Sequence, residues 1–142
     1  MKIKTSYFSN VKGSDVQNIV SISLGNPKWL NIVNRHSALA PTYVLLKSFQ
    51  ADKINESEYV RQFNKMLSKL NAQDVYSQLL AMTPEPILCC HCGTQHFCHR
   101  HLVAEWLCSE LGIDIQEHKV GRVNRLQGRI ISSAEPQQIS LF

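Results

Sequence analysis

Apolar side chains return every third or fourth position along two stretches in the middle of the chain. Tyr59, Phe63, Met66, Leu67 and Leu70 share one helical face, and Ala72, Val75, Tyr76, Leu79 and Leu80 share another. Asn55 (with Glu58 three residues on) and Asn71 stand where a side-chain oxygen caps the first free N–H groups of a helix. The pattern predicts one helix after Asn55 and a second after Asn71, each with a core-packing face. A third stripe, Leu102, Val103, Trp106, Leu107 and Leu111, predicts a helix over 98–111 that stops at Gly112. Elsewhere the pattern is that of short strands. They are expected over 2–8, over "NIVSIS" at 18–23, over "ILCC" behind Pro86, and over "IDIQEH" at 113–118. Gly25, Asn26 and Pro27 end the second of these. Residues 28–41 read as irregular, and 43–49 as a short helix behind Pro41.

Strands alternating with helices imply an α/β fold: a single compact domain with a mostly parallel sheet flanked by helices, over residues 1–127. No internal repeat interrupts it. From about Gly128 the periodicity fades, and "SSAEPQQ" has the composition of a flexible linker, so 128–142 is expected to be a flexible C-terminal tail.

A chain of 142 residues is the usual length of one domain and buries enough surface for a core without staples. No apolar run approaches the ~20 residues needed to cross a bilayer, and "MKIKTSYFS" lacks the apolar stretch of a secretory signal. The expectation is a cytoplasmic protein with no membrane partner. The formal charge of +4 permits contact with DNA or a nucleotide without demanding it. The chain has 5 cysteines, an odd count, and they are bunched. In a reducing compartment that points to metal or to chemistry more than to a disulfide framework.

The bunching is the strongest chemical signal. "ILCCHCGTQHFCHRHLVAEWL" at 87–107 holds Cys89, Cys90, Cys92 and Cys98 with His91, His96, His99 and His101. The expected order there is strand, loop, helix, which puts the segment at the carboxyl end of a sheet, where open α/β folds bind ligands. A thiol in the first turn of a helix is more often a thiolate, an arginine offers a planar fork to phosphate or carboxylate, and histidine moves protons near neutral pH. Cys89, His91, Cys98, His99 and Arg100 are therefore the candidate catalytic and anion-binding residues. Metal is the rival reading: Cys89, Cys92, Cys98 and His101 have the ligand types and pair spacings of a zinc site. No cofactor is required by the first reading, and zinc is the cofactor of the second. The plainest alternative is that the cysteines are small buried groups.

The same residues resemble the domain of unknown function family 488. "LC" at 88–89, "FCHRHLVAEWL" at 97–107 and "GIDIQE" at 112–117 are similar to its C-terminal half. There a strand ends in a cysteine, an acidic residue follows, and Cys-His-Arg opens a helix. "NIVSISLGNPKWL" at 18–30, "LAPTYVLL" at 39–46 and "INESEYVRQF" at 54–63 are similar to the rest. The resemblance implies a compact α/β domain with a pocket near Cys89, Cys98, His99 and Arg100, and it implies no settled reaction. The acidic residue expected two positions after the strand cysteine is His91 here, and Cys92 and His96 are additional potential ligands.

The chain ends in Gln138, Ile139, Ser140, Leu141 and Phe142. "QISLF" resembles the pentapeptide by which bacterial replication and repair proteins bind the DNA polymerase sliding clamp. An exposed Leu–Phe pair on a polar tail has no local reason to exist unless something buries it. The alternative is that these residues dock on their own domain as a last strand. Arg122, Arg125, Arg129 and Lys119 precede the tail and suit either DNA phosphates or a solvated surface. The leading expectation is a protein of DNA metabolism, recruited to the sliding clamp, with a Cys/His/Arg pocket for a nucleotide or nucleic acid. Any activity would be of hydrolase type. The other readings are a non-enzymatic clamp-binding module with a structural metal or buried cysteine cluster, and a small-molecule enzyme unrelated to DNA.

Overall fold

The computed structural model describes residues 3–93 and 96–134. Five short strands form one sheet: β1 (Lys4–Tyr7), β2 (Ile19–Ser21), β3 (Asn34–Arg35), β4 (Ile87–Cys90) and β5 (Gln116–Glu117). Their order is β3-β2-β4-β1-β5, and every neighbouring pair is parallel. Four helices accompany them: α1 (Tyr43–Gln50), α2 (Glu56–Ser68), α3 (Ala72–Met82) and α4 (His99–Leu111). The expected α/β class and mostly parallel sheet are thus observed. No helix among the described residues is long and apolar enough to cross a membrane.

The caps explain where the helices begin. Asn55 Oδ1 accepts from the Glu58 N–H at 2.8 Å, Asn71 Oδ1 from Asp74 at 2.9 Å, and Thr42 Oγ1 from Leu45 at 3.1 Å. Each such cap contributes about 1 kcal/mol. Gly112 ends α4 in the left-handed region at φ 65°, where a residue with a Cβ is strained.

Strand parity divides the sheet's two faces. Val20, Ile22 and Leu88 point to the helices, where Phe63, Leu67, Leu79, Val103 and Leu107 are fully buried. Ile19, Ile87 and Cys89 point the other way, onto Phe8 and Val11. That second face is covered by the short 3-10 turns Phe8–Asn10 and Gly13–Asn18 rather than by α-helices.

Two sequence expectations change. Residues 28–41 include β3, whose two residues give no readable period. The expected boundary at residue 127 falls inside an ordered antiparallel hairpin, β6 (Val123–Leu126) with β7 (Arg129–Ser133). Most of β7 is exposed, so its sequence carries no burial alternation. The turn residues Gln127 (φ 52°) and Gly128 (φ 85°) are both left-handed, as a two-residue hairpin turn requires. The Cys98 N–H donates to the Gly128 carbonyl at 2.9 Å, so the hairpin turn braces the start of α4. A Cβ on Gly128 would collide with the Phe97 ring. Gly128→Ala is therefore expected to cost about 1–3 kcal/mol through overlap and backbone strain. Denaturant titration measures this, and an unchanged midpoint would mean that the turn does not brace the helix. The clamp-like pentapeptide, Gln138 to Phe142, lies outside the described residues.

Candidate functional site

β4 carries consecutive cysteines, and parity sends them to opposite faces. Cys89 is enclosed with Phe8, Val11 and Ile87. Cys90 points to the helix side and meets Cys92 from the following loop and Cys98 from the residue that precedes α4. The three sulfurs lie within 4.8 Å of one another. Cys90 and Cys98 are buried and Cys92 is half-buried. Burial pushes the Cys90 and Cys98 thiols up. Hydrogen bonds from those two thiols pull Cys92 well down, with help from the nearby Arg100 charge. The thiol whose pKa is lowered is thus the most exposed of the three.

His99 is fixed in one tautomer. Its Nε2 lies 2.6 Å from the Ile22 carbonyl, which can only accept, so Nε2 carries the proton. That leaves Nδ1 as a lone pair, 3.8 Å from Cys98 Sγ. Burial lowers the His99 pKa to about 4, against a hydrogen bond to Ile22 that raises it. The ring is neutral at pH 7. A backbone carbonyl holding the far nitrogen is the usual support of a metal-binding histidine. His91 Nε2 likewise donates to the Gly25 carbonyl at 2.8 Å.

Arg100 does not face solvent. Its side chain has 0% exposure, and so does that of its partner Glu117. Nε donates to Glu117 Oε1 at 3.4 Å, and Nη2 to Glu117 Oε2 at 2.9 Å and to the Gly93 carbonyl at 3.3 Å. Nη1 donates to Cys90 Sγ at 3.1 Å and to the Cys92 carbonyl at 2.6 Å. A guanidinium has five N–H donors, and these contacts use all of them. The expected role as an anion fork is corrected accordingly: Arg100 shapes the cysteine loop and stabilises sulfur charge at Cys90.

Glu117 is shared. Thr5 Oγ1 donates to it at 2.6 Å and in turn accepts from Arg125 Nη2 at 2.6 Å. Arg125 Nε donates to His101 Nδ1 at 3.0 Å. His101 therefore belongs to this second network and not to the sulfur group. The set Cys89, Cys92, Cys98 and His101 is not assembled: Cys89 faces the opposite side of the sheet, and His101 is turned by its helix toward Arg125. Cys98, Cys92 and His99 do come together, with His91 at their edge.

Sequence reasoning missed Cys90 and Glu117. Cys90 was detectable by parity, since Leu88 and Cys90 must share a face. Taking Cys90 as the strand cysteine also moves the position two residues on from His91 to Cys92. The residue there is then a third thiol.

His101 allows a pH prediction. Burial, then the charges of Arg100 and Arg125, lower its pKa to about 2. The folded state thus refuses a proton that the unfolded chain takes up below about pH 6.5. Stability from this group is present above pH 6.5 and is lost as the pH falls, by up to about 1.4 kcal/mol per pH unit. Urea titrations between pH 7 and 5 should show this slope, and His101→Gln should reduce it by about one proton's worth. Equal slopes would contradict the assignment.

A cavity of about 150 Å³ opens beside the sulfurs, lined by Ser23, Leu24, Pro41, Leu46, Gln50, Cys90, His91, Cys92 and His99. It lies past the carboxyl ends of β2 and β4, where parallel sheets bind ligands. A larger groove of about 600 Å³ runs along the end of α4 and β6; the one thiol lining it, Cys108, has no histidine beside it there.

Residues 24–111 match the family model DUF488-N3a, described as the active DUF488-N3 subclade. The chain belongs to this family. The match begins three residues after β2 and ends with the last residue of α4, so it includes the cysteine loop and the cavity walls on α1. Nothing among curated proteins or solved structures matches the chain. Within this DUF488-N3 member, Cys90, Cys92 and Cys98 can hold a metal ion.

Proposed function

We propose that this DUF488-N3 protein is a zinc-centred enzyme of hydrolase type that acts on a nucleotide or nucleic acid, and that Gln138, Ile139, Ser140, Leu141 and Phe142 recruit it to the bacterial sliding clamp. One observation carries the enzymatic part: three thiols within 4.8 Å, two of which, Cys90 and Cys92, line a cavity together with a neutral histidine. Three protein ligands and an accessible side are the pattern of a catalytic rather than a structural zinc site. When bound, zinc would supply Lewis-acid activation of water or substrate. Cys90, Cys92 and Cys98 would hold it as thiolates. The Arg100 N–H on Cys90 would balance their charge, as groups around a metal's ligands do. His99 Nδ1 is placed to accept or return a proton on the cavity side, and His91 lines the same wall.

A second reading keeps the residues and omits the metal. The low pKa of Cys92 favours it: a half-buried thiolate beside a histidine is a nucleophile in its own right. Metal content separates the two readings.

Support for the nucleic-acid part comes from the sequence: the pentapeptide and the charge of +4. Burial of Leu141 and Phe142 at roughly 1.5–3 kcal/mol each, less the cost of ordering a tail, suits a Kd on the order of micromolar. Isothermal titration against a bacterial sliding clamp should give that affinity, and removal of residues 138–142 should abolish it. Undiminished binding by the truncated chain, or no binding by the full one, removes the recruitment proposal. A screen of nucleotides and single-stranded DNA then tests the chemistry. Turnover that survives Cys92→Ala would place the reaction elsewhere.

A further inference from the structure

The cavity beside the sulfurs is small, and its size limits what can enter. We infer that it receives one single-ring planar group, of the class of a pyrimidine base, presented by an unstacked nucleotide. This rests on the nucleotide reading above and names its substrate class. The volume is about 150 Å³; an apolar cavity of about that size accepts benzene, so a single-ring base is the closer match in size and a fused two-ring base would project toward the opening. Leu24, Pro41 and Leu46 supply apolar walls for the faces of a ring. Ser23 and Gln50 lie among them, and the Gln50 amide offers both a donor and an acceptor. That pairing suits a base edge, where N–H and C=O groups alternate. Cys90, Cys92 and His99 border the same space, so a ring seated there would touch the reactive groups.

The helix that walls the cavity, α1, carries features that suit an unpaired strand. Tyr43, Leu46, Lys47 and Gln50 are spaced to share one face of α1. Leu46 and Gln50 line the cavity, and Tyr43 one turn earlier is 66% exposed. Lys47 Nζ sits 5.5 Å from the Tyr43 ring centroid. Lys47 sits over one face of the exposed ring, so a neighbouring base would stack on the other face while a phosphate meets the lysine, as in sites for single-stranded nucleic acid. Extrusion of one base from the stack would then place it in the cavity, as enzymes that act on bases require.

The test is a titration of the full chain with thymidine, deoxycytidine and deoxyguanosine, read by NMR at the Gln50 side-chain amide and the Ser23 and Leu24 backbone amides. The two single-ring nucleosides should shift these signals saturably, and deoxyguanosine should bind roughly tenfold more weakly or worse. Leu46→Trp, which fills a half-buried position on the cavity wall, should abolish the shifts while the rest of the spectrum stays folded. In parallel, a short oligothymidylate should bind, and Tyr43→Ala with Lys47→Ala should weaken it roughly tenfold or more. Equal shifts from deoxyguanosine, or none from any nucleoside, overturn the single-ring inference; if the oligonucleotide still binds, the nucleic-acid reading stands without it. Nucleoside shifts with no oligonucleotide binding keep the ring preference and overturn the nucleic-acid substrate.

Discussion

Arg100→Ala is expected to cost roughly 3–5 kcal/mol of folding stability, a large share of what a domain this size possesses. The loss has two parts. Removal of the guanidinium leaves Glu117 buried, with Arg125 3.8 Å away as its remaining cation. It also strips the donors from the Cys92 and Gly93 carbonyls and from Cys90 Sγ. Arg100→Lys should recover little, because a single ammonium cannot reproduce a planar fork that serves two carboxylate oxygens, two carbonyls and a sulfur. Glu117→Gln should also be costly, because it leaves the buried Arg100 without its carboxylate and offers one oxygen where Thr5 and Arg100 use two. Thermal unfolding checks the series: at a few °C per kcal/mol, Arg100→Ala should lower the Tm by on the order of 10 °C. A change within about 1 kcal/mol would mean that the loop does not depend on Arg100, and the case for a held thiol group would weaken with it.

The second large effect concerns the sulfurs. Cys90→Ser, Cys92→Ser and Cys98→Ser should each abolish tight metal binding, because each removes one of three thiolates. Metal at about a thousand times its Kd contributes roughly 4 kcal/mol to the folded state. Each variant, or the wild type after chelation, should therefore unfold on the order of 10 °C lower. Cys89 is the informative control. It is the neighbour of Cys90 in β4 and chemically identical, yet it faces the other side of the sheet. Cys89→Ala should lose a little packing and no metal. Cys108→Ala should likewise lose a little packing and no metal, since Cys108 packs against the main core far along α4, at the larger groove. If Cys89→Ala lost metal while Cys90→Ser kept it, the face assignment of β4 would be wrong.

How far these properties could be read in advance depends on the range of the interaction. Helices α2 and α3 were legible because a stripe of Tyr59, Phe63 and Leu67, or of Ala72, Val75 and Leu79, repeats within a few residues of its own cap. The end of α4 was legible from Gly112. β3 was not, because two residues show no period, and β7 was not, because an exposed strand has no reason to alternate. At the site, the concentration of Cys92, Cys98 and His99 was apparent from their crowding in the chain. The choice between Cys89 and Cys90 needed only parity. The role of Arg100 was not legible at all. An arginine at a helix start looks like an anion fork until its partners are known, and its carboxylate, Glu117, is 17 residues away in sequence and meets it only because β5 pairs with β1. The pentapeptide Gln138 to Phe142 lies outside the described residues, so the recruitment proposed for it rests on sequence alone.

The most direct measurement is the metal content of the untagged, purified chain, by inductively coupled plasma mass spectrometry, for the wild type and for Cys92→Ser. A zinc-centred site predicts about one zinc per wild-type chain and essentially none in the variant. Metal-free wild-type protein whose Cys92 alkylates ahead of Cys89, Cys90 and Cys98 would contradict the zinc centre and return the site to a free thiolate nucleophile.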